Sequence, residues 1–141
     1  YDLTALQRDA NAQLGYSAKR TLSVMQSLYE RHKVLTYPRT DSRHNTGDIV
    51  PTLATRLGAL KDTRHGKTAA ELARALTEVR LRPGKRFVDD AKVSDHHAIS
   101  PTEERVNPDR LNAEEKAIWD LAARRLSCTS ASMCCGSSIV R

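Results

Sequence analysis

Aromatic residues are scarce in this chain of 141 residues: one Trp, one Phe and four Tyr make up 4% of it. A surface that grips nucleic acid mainly by stacking bases on rings is therefore excluded, and phosphate contacts are left to dominate any such binding. Cysteine is also scarce. Cys128, Cys134 and Cys135 all lie near the C-terminus. An odd number in one cluster makes a poor disulfide framework. The adjacent pair Cys134-Cys135 lacks the spacing of a zinc knuckle, so the three read as free thiols. No apolar stretch approaches the ~20 residues that span a bilayer, and no membrane partner is expected. No basic segment leading into an apolar one opens the chain in the manner of a secretory signal. A soluble, intracellular protein is expected. Internal repeats and long low-complexity segments are missing as well.

What is present is positive charge. Lys and Arg total 23 against 17 for Asp and Glu, a formal charge of +6. Such a balance suits a polyanionic partner and speaks about association, not about fold. The length is enough for one domain with a real core and too short for a multi-domain machine. The first residue is Tyr1 rather than Met, which leads to the expectation of an excised piece of a longer protein.

Local signals predict a mainly α chain with one or two short strands. Asp2 is a good N-cap for a helix to about Leu14, ended by Gly15. Ser17 caps a second helix to about His32, with an apolar stripe of Leu22, Met25, Leu28 and Tyr29. Val34–Tyr37 reads as a short strand and Thr40–Asn45 as a polar loop. Asp48 is placed to cap a helix over Ile49–Leu60, with Pro51 tolerated in its first turn. Lys61–Lys67 reads as a basic linker, and Thr68–Arg80 is rich in helix formers. Pro83-Gly84 marks a turn. Arg86–Val93 reads as extended and Ser94–Thr102 as a loop with a short extended piece. Asn112, with Glu114 or Glu115, opens a last helix to about Leu126, with Trp119 beside its buried stripe. Residues 127–141 have no clear period and are expected to be weakly ordered.

The run Tyr37-Pro38-Arg39-Thr40-Asp41-Ser42-Arg43 carries the chemistry. A strand delivers a phenol to its exit, Pro38 breaks the strand, and a guanidinium follows at Arg39. That order suits attack on a phosphodiester, with the phenol oxygen as nucleophile and Arg39 clamping the phosphate in two-pronged fashion. A free phenol has a pKa near ~10 and needs nearby positive charge or a base. Arg39 supplies charge, and Arg43 adds to it. Arg39 would also offset charge that accumulates on the phosphate oxygens. The bland reading of Tyr37 is a strand tyrosine that packs its ring and bonds its hydroxyl. Asp41 either holds one of the arginines or bonds its own backbone in a turn. Thr40 and Ser42 either donate to phosphate or cap the loop. His96-His97 is the second candidate group. Neighbours in extended chain point to opposite faces, so the pair does not suit one shared metal. One imidazole can face a phosphate while the other packs. Asp89-Asp90 is the only acidic doublet outside helices and is expected to be solvated rather than metal-binding.

Both words resemble those of a known family. Tyr37-Pro38-Arg39-Thr40-Asp41-Ser42-Arg43 is similar to the active-site tyrosine motif of type IA DNA topoisomerases, and the Pro after the tyrosine resembles the topoisomerase III branch. Asp95-His96-His97-Ala98-Ile99-Ser100-Pro101-Thr102 resembles a second motif of that branch. The likeness extends over residues 1 to about 126, and the segment from Cys128 onward departs from it. The resemblance implies a tyrosine-bearing domain at 1–126, with a winged-helix, CAP-like fold that moves as a lid, and a tail at 127–141. It implies that Tyr37 forms a 5′-phosphotyrosine link to single-stranded DNA and that Arg39 contacts the scissile phosphate, with His96 and His97 beside it. Arg43 and Thr40 complete the expected phosphate contacts. It further implies that Mg2+ and its Lys and Glu partners belong to a separate Toprim domain, so that this chain holds no metal and is inactive alone. A cytoplasmic, nucleoid-associated location follows.

A non-catalytic basic helical DNA-binding module is the alternative, with Tyr37 merely structural. Other tyrosine transesterases fit less well. Recombinases place a His-x-x-Arg motif before the tyrosine, and relaxases use two histidines flanking a hydrophobe, whereas His96-His97 is adjacent and follows Tyr37.

Overall fold

Side chains at the helix ends set the boundaries. A computed structural model describes residues 1–78 and 82–135, with side chains through 128. Asp2 Oδ1 accepts from the Ala5 N–H at 2.6 Å and starts α1 (Leu3–Leu14). Gly15, at φ 70°, ends it in the left-handed region that glycine enters without strain. Ser17 Oγ accepts from the Arg20 N–H at 3.2 Å and opens α2 (Ala18–Glu30). At the start of α5 (Ala113–Cys135), the Glu115 N–H donates to Asn112 Oδ1 at 2.8 Å. The Asn112 N–H donates back to Glu115 Oε2 at 3.0 Å, completing a capping box.

These helices bury one shared face. Leu6 and Ala10 of α1, Met25 and Leu28 of α2, and Ile118 and Trp119 of α5 form a continuous core. The α5 helix packs across α1, α2 and α4 (Gly66–Glu78), and α3 (Leu53–Gly58) packs on α4. A Cβ at Gly66 would fall on the Lys61 carbonyl, so only glycine lets α4 start this close to the preceding turn.

Several expectations are corrected. Among the described residues no strand forms, and pairing is confined to the isolated bridges Leu35–Pro101 and Asn45–Val88. Val34–Tyr37 is extended, but the Ser100 N–H that would continue the ladder donates to Thr36 Oγ1 instead of to a backbone carbonyl. The helix expected over 49–60 is divided into a 3₁₀ turn, Gly47–Thr52, and α3. Pro51 lies inside that turn and disfavours α geometry in Val50 before it. Asp48 falls within the turn instead of capping it. Residues 61–65 form turns rather than a linker, and α4 begins at Gly66. The extended segment expected over 86–93 is a turn, a bridge at Val88 and a 3₁₀ turn, Asp90–Lys92. The α5 helix continues past Leu126 to Cys135, through residues whose small side chains show no period in the sequence. The expected end of α4 at Arg80, the side chains of Cys134 and Cys135, and residues 136–141 lie outside the described residues.

Glu115 ties α5 to α2 as well as capping it. The Ser27 hydroxyl donates to Glu115 Oε1 at 2.8 Å. His32 Nε2 lies 3.2 Å from Glu115 Oε2, close but not aligned as a hydrogen bond. Burial pushes this carboxyl up. The Ser27 hydroxyl, the Asn112 N–H and His32 outweigh that and hold it below the usual carboxylate range. Glu115→Ala should therefore lower the unfolding free energy by about 1–3 kcal/mol, since it leaves buried donors unpaired. Urea denaturation checks this. A change within ~0.5 kcal/mol, as at ordinary surface sites, would refute the assigned role.

Candidate active site

Tyr37 stands where two distant segments meet. The Thr36 N–H donates to the Ser100 carbonyl at 3.0 Å, and the Thr102 N–H donates to the Val34 carbonyl at 3.2 Å. The Ser100 N–H donates to Thr36 Oγ1 at 2.9 Å. The Trp119 indole N–H, from α5, donates to the same Val34 carbonyl at 3.3 Å. Leu35, Thr36 and Pro38 are buried, so the backbone on both sides of Tyr37 is fixed.

The Tyr37 side chain is half-buried. Its ring lies on that of His96, with centroids 4.0 Å apart and planes tilted by 35°. Tyr29 meets it at 5.5 Å and 80°. Tyr37 borders an open cleft of about 590 Å³ together with Tyr29, Lys33, His97 and Thr102. His97 Nδ1 sits 2.8 Å from the Ala98 carbonyl. The two histidines thus converge on Tyr37, one on its ring and one along its cleft.

The remaining predicted residues divide. Arg39 is exposed, and among the described residues it pairs with no carboxylate. Arg43 donates through Nε to Asp2 Oδ2 at 2.6 Å. It lines a different cavity, of about 380 Å³, along with Arg8, Arg86 and Arg125. The structure does not bring it to Tyr37. Thr40 is buried; its hydroxyl donates to the His96 carbonyl at 3.0 Å and accepts from the Ser42 N–H at 3.2 Å. Ser42 is buried too, with its hydroxyl 3.1 Å from the Lys92 carbonyl. Both hydroxyls hold the loop. Asp41 is exposed, and the carboxylate that pairs with Arg43 is that of Asp2. Asp90 accepts from the Gly47 N–H at 3.0 Å, and Asp89 pairs with Lys92 at 3.8 Å. Among the described residues no three His, Cys, Asp or Glu side chains gather as metal ligands would.

Two contributors escaped the sequence reading. Arg56 is buried, donating through Nη1 to Ser100 Oγ at 3.1 Å and to the Pro101 carbonyl at 3.2 Å, and through Nε to Glu103 at 3.1 Å. It braces the segment that pairs with Thr36. The signal was a lone Arg between Leu53, Leu57 and Leu60 on an apolar face. Tyr29, expected in the buried stripe of α2, is instead 38% exposed and faces Tyr37.

A family model described as DNA topoisomerase matches residues 1–138. The chain is 54% identical over 125 residues to a DNA topoisomerase 3 of Bacillus cereus, covering 89% of this chain and 17% of that protein. It is 50% identical over the same length to the DNA topoisomerase 3 of Bacillus subtilis, with the same coverage. The chain belongs to the DNA topoisomerase family, as the two motifs suggested. It spans about 17% of the length of the curated relatives it matches.

The Asp2–Arg43 pair sets a pH dependence. Burial pushes the Asp2 carboxyl up, but the Arg43 hydrogen bond, the Ala5 N–H and the Arg43 charge bring it below its ordinary 3.8. A folded value below the unfolded one stabilises the fold above about 3.8, and that contribution is lost as pH falls through the lower folded value. Melting curves of the wild type and Asp2→Asn should differ at neutral pH and converge on acidification below 3.8. A gap that stays constant with pH would contradict the pairing.

Proposed function

We propose that this chain is the tyrosine-bearing part of a longer type IA, topoisomerase III-like enzyme that cleaves and rejoins one DNA strand. The observation that carries the reading is the placement of Tyr37. Its ring rests on His96 at 4.0 Å, its backbone neighbours are buried, and it opens onto a cleft. Family membership supplies the reaction class.

In this reading the Tyr37 oxygen attacks the phosphorus of a single-stranded DNA linkage. The O–P bond to tyrosine forms as the bond to the 3′-oxygen breaks. The phenol loses its proton and the leaving 3′-oxygen gains one, giving a 5′-phosphotyrosine and a free 3′-hydroxyl. After strand passage the 3′-hydroxyl attacks the same phosphorus and releases the phenol. Arg39 is the uncommitted cation two residues on and suits the non-bridging phosphate oxygens. His97 and the His96 ring flank the same linkage. Arg43 is held by Asp2 and Thr40 by the His96 carbonyl, so both act through loop geometry. The donors gathered near Tyr37 do not make a site for Mg2+; that ion and the groups it serves are assigned to a Toprim domain elsewhere in the longer protein. The finer fold assignment, a winged-helix, CAP-like lid, belongs to the same proposal. The helical core supports it, and the bridges at Leu35–Pro101 and Asn45–Val88 are the only counterpart of a wing among the described residues. A cytoplasmic, nucleoid-associated location accompanies it.

In the full-length protein, Tyr37→Phe should abolish the covalent DNA adduct while DNA binding persists, as seen in a denaturing gel beside a filter-binding assay. Unchanged relaxation would leave only a DNA-binding module. Arg39→Ala should slow cleavage and religation by roughly a hundred-fold, the scale of one lost transition-state donor. Its affinity for DNA should change by less than about tenfold, ~1.4 kcal/mol. A loss confined to affinity would remove Arg39 from the chemistry.

A further inference from the structure

Tyr29 stands apart from the buried face of its helix. It lies in the last turn of α2, whose inward residues Met25 and Leu28 are fully buried, yet it is 38% exposed. Among the described residues it is the one large apolar side chain so exposed. Its ring and that of Tyr37 meet at 5.5 Å and 80°, the T-shaped arrangement that aromatic quadrupoles favour.

We infer that Tyr29 is a positioning residue that fixes the phenol of Tyr37, an inference that rests on Tyr37 being the nucleophile. The backbone around Tyr37 is pinned by the Thr36–Ser100 hydrogen bond and by buried Pro38. What remains free is rotation of the side chain about its own bonds. Two rings oppose that rotation, His96 at 4.0 Å and Tyr29 at 5.5 Å. His96 sits in an exposed loop, whereas Tyr29 sits on a helix. The end of that helix is anchored to α5 through Ser27, His32 and Glu115. Tyr29 is therefore the rigid member of the pair. A displacement of about 1 Å at a reacting atom costs as much as a hundred-fold in rate. Among the described residues the Tyr29 hydroxyl makes no hydrogen bond, so the contact between the rings does not need it.

The test compares Tyr29→Ala and Tyr29→Phe in the full-length protein, with Tyr37→Phe as reference, on a single-stranded oligonucleotide at saturating concentration. Tyr29→Ala should slow formation of the covalent adduct roughly ten- to a hundred-fold, with DNA affinity and melting temperature little changed. Tyr29→Phe should cleave at close to the wild-type rate. Tyr29→Leu, which keeps apolar bulk without a ring, should match Tyr29→Ala and serves as the readout if the alanine variant folds poorly. An unchanged cleavage rate in both the alanine and leucine variants overturns the inference. So does weakened affinity with the rate preserved, which would make Tyr29 a platform for a DNA base. A phenylalanine variant as slow as alanine would assign the effect to the hydroxyl and also overturn it. If Tyr37→Phe still forms the adduct, the reading of the nucleophile fails, a result distinct from any outcome at Tyr29.

Discussion

Residues 34–36 are held to residues 98–102 by hydrogen bonds across more than sixty residues of chain, and the placement of Tyr37 follows from that join. Its centre is Thr36, whose N–H donates to the Ser100 carbonyl and whose hydroxyl accepts from the Ser100 N–H. The same hydroxyl points back to the Ala98 carbonyl at 3.4 Å. A valine here would have the right shape and would leave the Ser100 N–H buried without a partner. The join stays a single bridge, because the Thr36 hydroxyl takes the Ser100 N–H that would extend it. Its strength must come from the groups around it. Trp119 supplies one from α5, and Arg56 supplies two from α3.

The loop beyond Pro38 solves a related problem. It has no regular structure, and much of it is buried, so its polar groups must be satisfied individually. Thr40 and Ser42 do this with the His96 and Lys92 carbonyls. The Leu3 N–H reaches the Thr40 carbonyl at 2.9 Å, and Asp2 both caps α1 and holds Arg43. The first helix, the tyrosine loop and the histidine loop are thereby one mechanical unit. Removing a hydroxyl from this loop would affect the histidines before it affected any phosphate.

Legibility in the sequence divides along the distance between partners. Asp2, Gly15, Ser17, and Asn112 with Glu115 act within a few residues of themselves, and each does in the structure what its type and position suggest. Tyr37 and Arg39 are readable as a candidate nucleophile and its cation for a similar reason: they are two residues apart. What needed the fold was everything joined from afar. His96 could be read as a phosphate contact, but its place on the Tyr37 ring depends on the Thr36–Ser100 join. Arg43 looked like a second cation for the same phosphate. It is drawn away by Asp2, whose role as a helix cap concealed its free oxygen. The 3₁₀ turn at Gly47–Thr52 was misread because Pro51 fits the first turn of an α-helix as well as it fits this one.

Charge gives the sharpest constraint on what the site can do. The chain carries a net +6, yet many of its arginines are already engaged. Arg20 is bound to Glu114, Arg43 to Asp2, Arg56 to Glu103, Arg64 to Asp120 and Arg125 to Asp9. An engaged arginine can meet a phosphate only by giving up its carboxylate, so its contribution to binding is the difference between two similar interactions. Arg39 faces no such exchange among the described residues. Overall charge brings a polyanion near with little regard for place. Guanidinium groups that need not give up a carboxylate decide where it is held.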